Sequence, residues 1–420
     1  MKPSVDPVRL RSLAGREPGR KVTWLELFFD LIFVAAVAQV AAPLHEQYTV
    51  MGLIRFTPLF VLIWWAWTGH TVFSTRFDTD DTIQRGLTLV QMFAVAVMAA
   101  NAKGALDSRS SAGFAAAYAA VRFVLVAQYF RARQVPEARP LTTCYLIGHG
   151  TAAVLWLASA LVPAPGRFWL WALAFVIDLG TPWFAVHQST KAPPDAAHLP
   201  ERFGLFTLIL LGESVVAVMQ GMESQEDWTL AAATSAFLSM GLLFLISSLY
   251  FDGAAGGSEQ PVRTRRDAVR FHLWSYAHFP LYLGIAVAGV GVHRIVTAAS
   301  RTMLEPPESL ILTSAIAVVM IAMTAIGATS AGRGSHRWTG SIGHLVIAAV
   351  TIAMGTVGHF ASPVALVIAL TASCLAQLGV SLTAVPSASR LNESPRLRAR
   401  GYALPIRMPV RNTSTPPRTT

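Results

Sequence analysis

Charge is scarce in this 420-residue chain: 13% of residues are Asp, Glu, Lys or Arg, about half the share of a soluble domain. Hydrophobic residues make up 53%, and the mean hydropathy is +0.49. That balance excludes a water-solvated globule and points to a lipid-solvated chain. Cysteine is nearly absent. Cys144 and Cys374 fall in separate predicted helices, which excludes a disulfide framework, a thiolate metal cluster and thiol redox chemistry. Enzyme signatures are missing as well. No G-x-S-x-G elbow, P-loop, His-Glu-x-x-His pair or G-x-G-x-x-G fingerprint occurs, so no catalytic residue, metal or cofactor is expected from a motif. No charged n-region, short apolar stretch and A-x-A site precede the first apolar run, so that run is expected to act as its own insertion signal.

What is present is a series of long apolar runs. The first, 22–41, is long enough to cross a bilayer and yet carries Glu26 and Asp30. Others recur near 54–73, 86–103, 113–130, 141–161, 168–187, 202–221, 230–250, 272–292, 309–329, 341–360 and 363–384. The expected fold is therefore an all-α integral membrane protein of about twelve transmembrane helices, or eleven if the last two runs, weakly separated at Ser362-Pro363, are one.

The basic residues support twelve. With both termini on one side, that side holds 26 of the 33 Lys and Arg, and the opposite loops hold six: Arg55, Lys103, Arg109, Arg167, Arg294 and Arg301. Arg122 alone falls inside a span. The positive-inside rule then places both termini in the cytoplasm. It also accounts for the net charge of +10 without nucleic acid. Residues 1–21 read as a flexible basic arm and 385–420 as a disordered basic Pro/Ser/Thr-rich tail, either able to meet anionic lipid headgroups. Between them, 22–384 form the membrane domain. Its possible halves, 22–190 and 198–384, share weak likenesses: Glu26-Leu-Phe against Glu201-Arg-Phe, and Asp81 to Arg85 against Asp267 to Arg270.

Several separated motifs carry a family resemblance. Glu26-Leu-Phe-Phe-Asp30-Leu-Ile-Phe-Val34, Arg76-Phe-Asp-Thr-Asp-Asp81 with Arg85, Glu201-Arg-Phe-Gly-Leu-Phe and Leu211-Gly-Glu-Ser214 together resemble the bacterial low-temperature-requirement A family over about residues 20–385. The resemblance implies a polytopic membrane protein, named for a need during growth in the cold, and implies no substrate or reaction. The Glu-Leu-Phe-Phe-Asp run is also similar to the Phe-Ser-Asp filter motif of one class of cation channels, with Phe29 in place of the serine.

Intramembrane charges are the candidate site. Glu26 and Asp30 are neighbours on one helix face. Glu26 lies at the helix start, where the dipole favours an anion; Asp30 lies about 13 Å in. Asp30 is read either as an ion or proton site or as a structural partner, with Arg122 or Glu213 as the expected counterpart. Glu213, between Gly212 and Ser214 in span seven, can admit a close helix, water or an ion. Arg122 needs an acid, with Asp30, Asp178 and Glu213 as candidates. Asp178, ahead of Gly180 and Pro182, is expected near a helix break. His278 is the most central histidine, a packing residue or a proton relay. Glu201 and Arg202 are expected to cap and anchor span seven at the interface. Asp81 is expected to cap span three and pair with Arg85, and a Mg²⁺ reading of Asp78, Asp80 and Asp81 acting on a lipid phosphate is the enzyme alternative. Trp64, Trp65 and Trp67 read as an aromatic packing surface.

Four acids against one base leave an acidic excess suited to a proton or metal cation, alone or coupled to a small solute. A transporter or permease is the leading expectation, and a non-transporting structural or stress-adaptation protein the alternative. Beyond the bilayer and an unknown small cation or solute, the sequence names no partner and is silent on oligomeric state.

Overall fold

The computed structural model describes residues 8–11, 22–78, 81–107, 110–225, 227–254, 260–330 and 336–383. The expected basic tail and most of the basic arm lie outside them. The chain runs β1 (Arg9–Leu10), α1 (Trp24–Glu46), α2 (Val50–Arg76), β2 (Phe77–Asp78), α3 (Thr82–Ala100), α4 (Ser111–Ala132), α5 (Arg139–Leu161) and α6 (Gly166–Phe184). A one-turn α7 (Val186–Ser189) leads to α8 (His198–Glu223), α9 (Leu230–Leu249), α10 (Arg265–Thr297), α11 (Pro306–Thr329), α12 (His336–Val357) and α13 (Pro363–Thr383).

The protein is an all-helical bundle built for a membrane. Among the described residues eleven helices are long and apolar enough to cross one. The long helix outside that set is α6, in which Arg167, Asp178 and three tryptophans dilute 19 residues. The count of twelve rests on this helix, which packs on α5 through a four-residue connection as an antiparallel hairpin.

Local chemistry sets the helix ends. Thr23 starts α1 with a capping box: its hydroxyl accepts from the Glu26 backbone N–H at 3.3 Å, and the Glu26 carboxylate accepts from the Thr23 N–H at 2.9 Å. Thr264 and Asp267 repeat the device at α10. The last two spans are distinct helices because Gly358–Phe360 forms a 3₁₀ turn and Pro363 opens α13.

Residues 8–11 depart from the flexible arm expected. Arg9–Leu10 pairs antiparallel with Phe77–Asp78, and Val8 and Leu10 are buried. Alternating apolar residues let this short piece cover the end of α2, so the side of the bundle that carries it is called the N-face below.

Packing order recurs along the chain. Helices α3 to α6 pack in succession, as do α10 to α13, while α1 packs on α3 and α8 on α10. The contact of α1 with α8 and α10 joins the two series. The 33-residue α10 is the central post and makes its closest approach at glycines. A Cβ on Gly284 would stand 2.9 Å from the Ala315 carbonyl oxygen and 2.7 Å from Val319 Cγ2 of α11. Backbone cannot yield there, whereas a Cβ on Gly86 of α3 meets nothing within 4 Å. Thermal unfolding in detergent should therefore separate the two sites: Gly284→Ala should destabilise by about 1–3 kcal/mol, and Gly86→Ala should be neutral or stabilise by up to about 1 kcal/mol.

Candidate functional site

Asp30 is fully buried in α1, and its counterpart is neither Arg122 nor Glu213 but Arg202 of α8. Arg202 donates from Nη2 to Asp30 Oδ1 at 2.6 Å and from Nε to Oδ2 at 3.1 Å, a two-point clamp. Trp67 of α2 donates its indole N–H to Oδ1 at 2.7 Å. The interfacial anchor expected of Arg202 is thereby corrected: its side chain is wholly enclosed, because one turn into α8 it faces α1 rather than solvent. Glu201 beside it remains at the surface, 3.3 Å from His198 Nδ1.

Glu26 joins the same cluster. Besides closing the capping box, its carboxylate lies 3.3 Å from Arg202 Nη1, 3.2 Å from His198 Nε2 and 3.8 Å from Arg11 Nη2. Two acids of α1 thus share one arginine of α8. Above them, farther from the N-face, Phe206 packs 4.2 Å from Trp67 and 5.0 Å from Tyr282, and Tyr282 bonds the Phe203 carbonyl at 2.9 Å. This aromatic layer covers the pair.

A second buried cluster joins α4, α5 and α6. Arg122 Nε lies 2.8 Å from Asp178 Oδ2, and Arg122 Nη2 donates to the Tyr118 hydroxyl at 2.7 Å. His149 Nδ1 meets Asp178 Oδ1 at 2.5 Å. Asp178 is therefore the partner among the three acids proposed for Arg122. The helix break expected near Asp178 falls seven residues on, at Ala185: α6 continues through Pro182 to Phe184. Proline there costs the bond to the Asp178 carbonyl, and the chain turns only at Ala185.

Glu213 is placed differently from the other acids. It lines a cavity of about 300 Å³ between α1, α8 and α10, together with Gln39, His45, Ser214, Gln220 and Gly289. Eleven residues beyond Arg202, it lies about 16 Å farther along α8, away from the N-face. Among the described residues it has no ion pair or hydrogen bond, and it is only half-buried. Gly289 shapes the wall, since a Cβ there would meet Ser214 Oγ at 2.7 Å. Asp30 and Glu213 do not share a cavity. Asp30 does not line this one, and the Phe206 and Tyr282 layer lies between.

The remaining expected residues hold helices. Asp81 caps α3 by accepting from the Gln84 N–H at 2.8 Å, and its carboxylate pairs with Arg131 of α4 at 2.6 Å. Its sequence neighbour Arg85 meets it through a backbone N–H to the Asp81 carbonyl. Asp80 and the side chain of Asp78 lie outside the described residues. No group of three or more metal-ligating residues occurs among the described residues. His278 is packed, with Nδ1 2.9 Å from the Trp274 carbonyl and Nε2 3.1 Å from the Tyr250 hydroxyl.

Three residues of these clusters escape sequence reasoning. Trp67 looks like its neighbours Trp64 and Trp65. His149 stands between Gly148 and Gly150, a spacing that allows close helix approach, and it is the one with a readable signal. Arg202 stands beside an acid at a helix start, the usual place of an anchor.

The fold and its buried charge clusters define a polytopic helical membrane protein. Comparison with known proteins then places it: residues 21–378 match the family described as Bacterial low temperature requirement A protein (LtrA), and the chain belongs to that family. The uncharacterized protein RA0937 of Rhizobium meliloti (strain 1021) is 28% identical over 287 residues, covering 64% of this chain and 68% of that one.

Removing one member of a buried pair strands the other, at about 3–5 kcal/mol. Arg202→Met, which strands both Glu26 and Asp30, should cost more than Asp30→Asn in denaturant unfolding. The double variant should be more stable than the summed losses by about 0.5–3 kcal/mol. Strictly additive losses would show that the pair does not act as a unit.

Proposed function

We propose that the protein is a multi-pass permease of the bacterial inner membrane that moves a small cation or a proton-linked solute. Twelve spans with both termini cytoplasmic suit this reading, and the recurring neighbour order supports taking 22–190 and 198–384 as duplicated halves. The carrying observation is Glu213. Of the four acids Glu26, Asp30, Asp178 and Glu213, it is the one that lacks a counter-charge and faces a cavity.

The acidic excess read from the sequence shrinks accordingly. Arg202 is buried and shared by Glu26 and Asp30, and Arg122 holds Asp178, so of the four acids only Glu213 is left without a counter-charge. In this reading Glu213 binds the cation, with Gln39, Ser214 and Gln220 supplying oxygen ligands and His45 lining the same cavity. The Asp30, Arg202 and Glu26 cluster and the aromatic layer form the closed gate on the N-face. Alternating access would move α8 against α1 and break that clamp.

The alternative, a non-transporting protein of cold or stress adaptation, is favoured by the two ion clusters that fasten α1 to α8 and α4 to α6. Flux in proteoliposomes under imposed proton, sodium and potassium gradients discriminates. Wild type should pass one of these ions, and Glu213→Gln should lose at least ten-fold in rate while inserting and folding normally. Equal flux in the variant removes Glu213 from the path, and wild-type vesicles tight to all three ions would sink the permease reading.

A further inference from the structure

Among the described residues three arginines are wholly enclosed: Arg76, Arg122 and Arg202. Two have carboxylates, and Arg76 has none. Its Nε, Nη1 and Nη2 are all buried without a hydrogen-bond partner, and among the described residues no acid pairs with it. A guanidinium cannot shed its charge, and an uncompensated one is costly to bury.

The surroundings are rich in donors. The Arg76 guanidinium sits over the Tyr145 ring at 5.7 Å, and Tyr129, stacked on that ring at 4.7 Å, lies within electrostatic reach of Arg76. The Tyr145 hydroxyl is itself buried and unpartnered, as is His272 Nε2, which lies within electrostatic reach of Arg76. Gln260 Nε2 is likewise unpartnered. Backbone bonds tie it to this end of the bundle: the Gln260 N–H bonds the Ala196 carbonyl, and the Asp195 N–H bonds the Thr75 carbonyl, one residue before Arg76. The acid of the adjoining cluster, Asp178, is already held by Arg122 and His149.

We propose that Arg76, Tyr145 and His272, with Gln260 at the edge, form a binding site for a small inorganic anion of the halide class. Orphaned donors around a fixed cation, with no competing carboxylate, are complementary to negative charge. Size follows from closure. On the N-face the Arg11 N–H bonds the Arg76 carbonyl at 3.1 Å, β1 pairs with β2, and Val8 and Leu10 pack on Phe77. A bulky phosphate ester or lipid headgroup would have to displace that strand, whereas a single-atom anion would not. The aromatic walls suit a weakly hydrated ion. This site is separate from the Glu213 cavity, which none of its residues lines.

The test uses the full-length protein purified in gluconate and titrated with chloride or bromide, read by thermal unfolding and by tryptophan fluorescence, since Trp183 lies 5.5 Å from His272. Both halides should raise the melting temperature saturably. Tyr145→Phe should weaken the apparent affinity roughly five- to tenfold, and Arg76→Gln should abolish the response. Crystals of the wild type in bromide provide a second measurement that does not depend on the folding of Arg76→Gln: an anomalous peak at the Arg76 guanidinium is expected. No halide response in the wild type, a response that Arg76→Gln retains, a response to inorganic phosphate or anionic lipid in place of halide, or bromide peaks only elsewhere would each overturn the proposal.

Discussion

A carboxylate carried into the apolar part of a bundle must bring its counter-charge with it, and α1 meets that demand through α8. Arg202 clamps Asp30 at two points and touches Glu26, with Trp67 completing the shell of Asp30. Much else follows from this contact. It holds the starts of α1 and α8 together at the N-face, stations Trp67 against Phe206, and so builds the aromatic layer that separates the clamp from the Glu213 cavity. Where the two helices are no longer tied by charge, farther along, they leave space for that cavity.

The same constraint, applied to each buried charge, sorts the molecule into three situations. Asp30 with Arg202 and Asp178 with Arg122 are compensated and therefore fasten helices. Glu213 is uncompensated but half-exposed to a cavity, where water or a cation can reach it. Arg76 is uncompensated and sealed, which makes it the group most in need of a mobile counter-ion. A permease and a small-anion site are the functional readings of the second and third situations. They occupy different ends of the bundle and stand or fall separately.

Much of the architecture is legible in the residues because hydrophobic run length and the placement of Lys and Arg are local quantities. The long helices lie where the apolar runs lie, Asp81 caps α3, and Ser362-Pro363 marks the division between α12 and α13. The charge partners are a different matter. Arg202 lies 172 residues from both Asp30 and Glu26, and helical periodicity reports which face a residue occupies but not which helix that face meets. Arg76 was equally opaque: a basic residue at the end of an apolar run looks like a loop anchor until β1 is seen folded over it.

By itself, then, the sequence determined that this chain is an all-helical, multi-pass membrane protein of the low temperature requirement A family, with acids inside its spans that need an explanation. Hydropathy and motif order suffice for that, since both are written along the chain. Only the tertiary structure decided which acids are neutralised and which are not. Compensation depends on a few ångströms between helices far apart in sequence, and those distances exist only once the bundle has packed.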